Sequence, residues 1–145
     1  MKKIRLLEKS DLQNGFFETL QCLTEIGNIS KDLSYATNIY DKIQEQFNTF
    51  IFVALNGRDE VIGTAMLYVE QKFIHNGGKV GHIEDVAVRN EYQRRGIGYK
   101  LIQKCKEQCI KMGCYKIILT AKEKNKYFYE KCGFYQNSLN FRIDL

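Results

Sequence analysis

The residues best suited to chemistry crowd into one stretch, Gln93-Arg94-Arg95-Gly96-Ile97-Gly98, between a β-rich run and a helix-patterned run. A helix N-terminus offers unpaired backbone N–H groups and the positive end of the helix dipole, and both suit an anion. Glycine lets a pyrophosphate approach the backbone without meeting a Cβ. Two guanidinium groups add fork-shaped donors for its oxygens, and the anion offsets their mutual repulsion. The alternative reading is a tight strand-to-helix turn with two solvated arginines. Two well-known phosphate loops are excluded. Gly-x-x-x-x-Gly-Lys-Ser/Thr is absent, and Gly-x-Gly-x-x-Gly fails because Leu101 stands at the third position.

Other residues have side chains able to bind or transfer protons. Glu84 and Asp85 are adjacent. On a strand they point to opposite faces, so they do not form a coupled carboxylate pair. Asn125 and Tyr129 are four apart and would share one helical face. Lys72 and His75 close a strand beside a glycine-rich loop, "HNGGKVG". The five cysteines, Cys22, Cys105, Cys109, Cys114 and Cys132, form no Cys-x-x-Cys and no zinc spacing, so reduced thiols, no metal and no disulfide are expected.

These groups need elements to position them. The chain has 145 residues, 44% hydrophobic and 27% charged, which fits one globular domain over 1–145. It contains no proline, and no linker or repeat interrupts it. The net charge is +5, but the lysines are scattered among acids, so no nucleic-acid partner is expected. No apolar run approaches the ~20 residues that span a bilayer, so no membrane partner is expected either. The opening "MKKIRLLEKSD" reads as a first strand and not as a secretion signal, which points to the cytosol.

Periodicity predicts a strand at Ile4–Leu6, then a helix capped by Ser10 with Leu12, Phe16, Leu20 and Leu23 inward, ending at Gly27. A second helix, capped by Ser30, would bury Leu33, Tyr40, Ile43 and Phe47. Asn56-Gly57 marks a hairpin, and "HIEDVAV" is a third β run. A helix follows with Ile97, Leu101, Cys105 and Ile110 inward and Gly113 as its stop. "CYKIILT" is a strand, "EKNKYFYEKCG" a short helix ending at Gly133, and "YQNSLNFRIDL" a closing strand. The order β-α-α-β-β-β-α-β-α-β describes an α/β (α+β) domain, a mixed sheet with helices on both faces.

Gln-x-x-Gly-x-Gly in this element order resembles the GNAT superfamily of acyl-coenzyme A N-acyltransferases, where that motif wraps the coenzyme A pyrophosphate. "DLQNGFFETLQCLTEIG", "KFIH", "GHIEDVAV", "CYKIIL" and "KNKYFYEKCGF" resemble the glucosamine 6-phosphate N-acetyltransferases along nearly the whole chain. The resemblance implies acetyl-coenzyme A as cosubstrate, held by Arg94, Arg95, Gly96, Ile97, Gly98, Tyr99 and Asn125. It implies pantetheine pairing along the backbone of Val86, Ala87 and Val88, with an N–H there polarising the thioester. Tyr129 would protonate the leaving sulfur. Glu84 and Asp85 would hold the sugar's hydroxyls and amine, and either could draw off the ammonium proton. Lys72, Phe73, Ile74 and His75, with Thr24 and Arg142, would contact the phosphorylated sugar. The family is homodimeric and exchanges its closing strand between subunits.

One position departs from that pattern. The family usually carries a carboxylate at the end of the strand before the last helix, and here the residue is Thr120. Threonine cannot accept the amine proton at neutral pH, which leaves Glu84, Glu123 or a water chain as base, or an amine bound already deprotonated. The expected activity is acetyl transfer to glucosamine 6-phosphate by direct attack in a ternary complex, in the route to UDP-N-acetylglucosamine. A GNAT for another small amine and a non-catalytic acyl-coenzyme A-binding domain are the rivals. An acetyl-enzyme on Cys114 or Cys132 lacks a recognisable base partner.

Overall fold

In the computed structural model, which describes residues 1–145, the β-branched and aromatic runs form the sheet expected of them. β2 (Thr49–Leu55) and β3 (Val61–Gln71) pair antiparallel around the Asn56-Gly57 turn. Their connection spans five residues because the Asn56 carboxamide oxygen accepts from the backbone N–H groups of Arg58 (2.9 Å) and Glu60 (3.0 Å). β1 (Lys3–Leu6) pairs with β2, and β4 (Lys79–Val88) pairs with β3, both antiparallel. β5 (Cys114–Ile118) runs parallel to β4 at the sheet's edge, giving the order β1-β2-β3-β4-β5.

Helices cover both faces, as expected. On one side α1 (Phe16–Gln21) and α2 (Leu33–Gln44) bury Phe16, Phe17 and Ala36 against Val53, Leu55 and Val61. On the other, α4 (Ile97–Met112) lays Leu101, Ile102, Cys105 and Cys109 on Ile62, Leu67 and Ile83. Partly buried Phe128 and Tyr129 of α5 (Lys126–Lys131) join that core. Gly81 of β4 lets α4 approach, since a Cβ there would lie 2.3 Å from the Cys109 sulfur. α4 stops at Gly113 in the left-handed conformation, as the sequence implies. No helix is long and apolar enough to cross a membrane.

The structure corrects several details. Ser10 caps nothing; it lies in a 3-10 turn at Lys9–Gln13, whose capping box joins Glu8 and Asp11. Buried Asp11 is clamped there by Arg5 at 2.6 and 2.8 Å. α1 starts after Gly15 and ends at Gln21, short of Gly27. Asp32, not Ser30, caps α2, accepting from the Tyr35 N–H at 2.9 Å. Leu23, Leu33, Phe47 and Ile110 are exposed, and Cys109 takes the inward place expected of Ile110. The closing strand does not form: residues after Gly133 pair with no strand, while β5 keeps an open edge. A strand needs a partner for its N–H and C=O groups, and within one chain this segment has none.

Candidate active site

Two irregularities in β4 create the site. Thr64 pairs with Ala87 and Met66 with Glu84, so Ala65 alone faces both Asp85 and Val86. The extra residue is a bulge, and Asp85 at φ 51° carries its left-handed backbone. Meanwhile β5 matches β4 only from Lys79 to His82. From Ile83 onward the β4 edge facing β5 has no ladder partner, so the two strands splay apart. Its backbone groups are therefore free to pair with an extended ligand. Along this edge Val86 and Val88 pack their side chains partly into the core, and Ala87 is buried. The Val88 carbonyl is taken by the Gln93 amide at 3.0 Å, which ties the arginine loop to the strand.

That loop delivers the N-terminus of α4 beside the open edge. Gly96 adopts φ 77° as N-cap, and no side chain caps the helix. The first-turn N–H groups of Ile97, Gly98 and Tyr99 thus meet no capping group. The Ile97 side chain is core, so only its backbone is available to a ligand. The two glycines differ in purpose. Gly96 supplies the backbone angle, whereas a Cβ at Gly98 would press on the Phe128 ring at 3.1 Å. Arg94 (φ 60°) and Arg95 are exposed and enter no ion pair; Arg95 lies over the Tyr92 ring at 5.5 Å. Uncompensated guanidinium groups at an uncapped helix start have the chemistry to bind an anion.

Across the opening stands Tyr129. Its ring meets Phe128 and Phe134 edge to face at 4.9 and 6.2 Å. Burial pushes its hydroxyl above the ordinary phenol range, with Cys132 and then Glu84 adding to the rise. Tyr129, Glu84, Thr120 and Glu123 line one cleft of about 880 Å³ between β5, α5 and the closing segment. Asp85 opens instead onto a smaller apolar cavity under α1 and α2, so the two neighbouring acids do face different spaces. Three of the five thiols are held protonated. Burial pushes Cys105 and Cys109 up to about 12, and it raises Cys132 as well. No three His, Cys, Asp or Glu residues come together as a metal site.

The remaining residues singled out from the sequence lie elsewhere. Asn125 sits at the N-cap of α5 after a 3-10 turn, so it and Tyr129 do not share one regular helix. Lys72 pairs with Glu70 at 3.0 Å, and Glu70 also meets His82 at 3.3 Å. Phe73 and Ile74 are exposed. The turn α3 (Ile74–Gly77) is wound left-handed at His75 and Asn76, and His75 stacks on Tyr115 at 4.0 Å. Gln71 clamps this turn by donating to the carbonyls of Lys72, Gly77 and Gly78 at 3.1, 2.7 and 3.2 Å. Sequence reading missed both Gln71 and Tyr115; each acts through carbonyls or ring faces that no motif records. The turn lies beyond the start of β4, about 17 Å of strand from Glu84 at about 3.3 Å per residue, so a single chain does not unite them. Thr24 is exposed after α1, and Arg142 is exposed and paired with Asp144 at 2.6 Å. Three of the five non-glycine residues at positive φ (His75, Asp85 and Arg94) are residues the sequence had marked for binding. Strain of that kind gathers at functional sites.

Comparison with known proteins agrees with this geometry. Residues 15–134 match the family model described as Acetyltransferase (GNAT) family. The chain belongs to the GNAT family. Among GNAT relatives, a glucosamine 6-phosphate N-acetyltransferase of Candida albicans is 38% identical over 90% of this chain and 87% of its own. One from Dictyostelium discoideum is 38% identical over 97% of this chain and 89% of its own. The crystal structure of glucosamine-6-phosphate N-acetyltransferase from Arabidopsis thaliana superposes with a TM-score of 0.94 at 35% identity, covering 98% of this chain and 97% of that one. The GNAT fold, with its mixed five-stranded sheet between helices, is therefore as the sequence implied.

Proposed function

We propose that the protein transfers the acetyl group of acetyl-coenzyme A to the amine of glucosamine 6-phosphate, giving N-acetylglucosamine 6-phosphate for UDP-N-acetylglucosamine synthesis. The observation that carries this is 38% identity over nearly the whole chain to relatives named for that activity. The splayed β4 beside the uncapped start of α4 supports it. Arg94, Arg95 and the first-turn N–H groups of α4, from Ile97 through Gly98 to Tyr99, hold the pyrophosphate, with Asn125 completing the coenzyme contacts. Backbone groups of Val86 and Ala87 hold the pantetheine arm and polarise the thioester carbonyl. The amine nitrogen attacks that carbon, the C–S bond breaks, and Tyr129 gives its proton to the sulfur. Burial keeps that phenol protonated until it is needed. The nitrogen's own proton leaves toward Glu84 or Glu123, which share the cleft with Tyr129. Asp85, Thr24 and the turn Lys72–His75 serve the phosphorylated sugar.

The working unit in this reading is a cytosolic homodimer, without nucleic acid or membrane as partner. Its support is the closing segment, where Leu139, Phe141, Ile143 and Leu145 are exposed at period-two spacing beside the open edge of β5. Exchange of that segment with a second copy would pair it and bring Arg142 to the sugar phosphate. The test is acetyl transfer to glucosamine 6-phosphate, glucosamine and spermidine, followed by thioester absorbance or product mass. Turnover with the phosphorylated sugar alone is expected. Coenzyme binding with no turnover on any of the three would favour a non-catalytic domain and overturn the reading.

A further inference from the structure

The acetyl-transfer reading leaves the apolar cavity under α1 and α2 without a use. It measures about 170 Å³ and is walled by Phe16, Phe17, Ala36, Ile43 and Met66 among others, with Thr64 and Asp85 its only non-hydrophobic residues. The Thr64 hydroxyl is spent on the Phe52 carbonyl at 3.1 Å, and the Tyr40 hydroxyl on the Leu7 carbonyl at 3.4 Å. Water needs two to four polar partners and beyond Asp85, at the polar end, finds none along such a wall. A sugar could bond Asp85 only at the cavity's polar end, and inside it would bury its other hydroxyls without hydrogen bonds. Only an apolar group gains by entering.

The cavity's position says which apolar group. Its polar end is Asp85, the bulge residue of β4, whose side chain makes no hydrogen bond or ion pair. Its sheet wall is Ile51 of β2 with Thr64 and Met66, the β3 partners of Ala87 and Glu84. The cavity therefore begins behind Ala87, whose backbone helps hold the thioester in the reading above, on which this inference rests. We infer that it receives the tail of an acyl-coenzyme A longer than acetyl, so that the protein also transfers acyl groups of about four to six carbons. Apolar cavities of about 150 Å³ stay dry and admit six carbons as benzene, which sets that length. The bonds exchanged are those of acetyl transfer: N–C forms, C–S breaks, the nitrogen releases one proton and the sulfur gains one.

The experiment measures equilibrium binding of acetyl-, butyryl- and hexanoyl-coenzyme A to the full chain. It also follows transfer from each to glucosamine 6-phosphate by product mass. Each buried methylene strengthens binding about fourfold, so hexanoyl-coenzyme A should bind at least tenfold tighter than acetyl-coenzyme A. Ala36→Leu and, separately, Ile43→Phe fill the cavity and should bring that ratio to about one; two variants guard against one that does not fold. Equal or weaker hexanoyl binding by the unaltered chain would overturn the inference whatever the acetyl activity. Tighter hexanoyl binding without hexanoyl transfer would overturn the transfer half. Hexanoyl binding with no acetyl transfer would strike the activity reading and leave the chain site standing.

Discussion

In the proposed reaction Tyr129 would act through its surroundings. Two aromatic edges hold the ring, and burial disfavours the phenolate, so a proton stays at the cleft. Tyr129→Phe should lower kcat about 10²- to 10⁴-fold, with the Kd of acetyl-coenzyme A, read by calorimetry, nearly unchanged. An unaltered kcat would remove Tyr129 from the chemistry. The raised pKa also fixes a sign. A group whose protonated form is favoured keeps its proton as pH rises past the ordinary phenol value of about 10. The alkaline loss of kcat caused by Tyr129 should therefore begin above that value; a midpoint one or two units lower would assign the limb to another group. The thiols give a second test at this scale. Buried Cys105 and Cys109, pushed up to about 12, should resist iodoacetamide at pH 8 in the folded protein while exposed Cys22 reacts, as peptide masses would show.

At the scale of elements, α4 is set against the sheet by one missing side chain and aimed at the ligand by another. Gly81→Ala would drive a methyl onto the Cys109 sulfur, 2.3 Å from the ideal Cβ position. Such overpacking costs about 1–3 kcal/mol, measurable as a lower urea midpoint at unchanged m-value. The far end of the same helix carries the proposed anion site. Reversing Arg94 and Arg95 to Glu should weaken acetyl-coenzyme A binding at least tenfold and flatten its salt dependence, because screened charge attraction is what those residues supply. Equal affinity before and after would make the pair ordinary solvated residues of a turn. Gln93-x-x-Gly-x-Gly was legible as a motif, yet its parts divide the labour in ways spacing does not display. Gln93 ties the loop to the Val88 carbonyl, Gly96 sets a backbone angle and Gly98 makes room for Phe128.

For the whole molecule, the open edge of β5 and the exposed alternation in the closing segment describe an unfinished sheet. A chain truncated after Gly133 should sediment as a monomer where the full chain sediments as a dimer. A full chain that stays monomeric at micromolar concentration would sink the proposed exchange. Dimer formation also bears on Lys72 and His75, which a single chain leaves far along β4 from Glu84.

Local rules gave the five strands of the sheet, the hairpin at Asn56-Gly57, the α4 stop at Gly113 and the anion motif, because each depends on neighbours a few residues away, but they also predicted a closing strand that does not form. The roles given to Glu84, Asp85 and Tyr129 came from the family resemblance, since local spacing alone also fits a solvated strand-end pair and a core tyrosine. Caps were harder: Asp32 and the Glu8–Asp11 box take the capping places expected of Ser30 and Ser10. The bulge at Asp85, the divergence of β5 after His82 and the apolar cavity under α1 and α2 were decided by tertiary structure alone. Each arises where residues distant in sequence fix a register or fail to fill a space, and no periodicity within one segment carries that information.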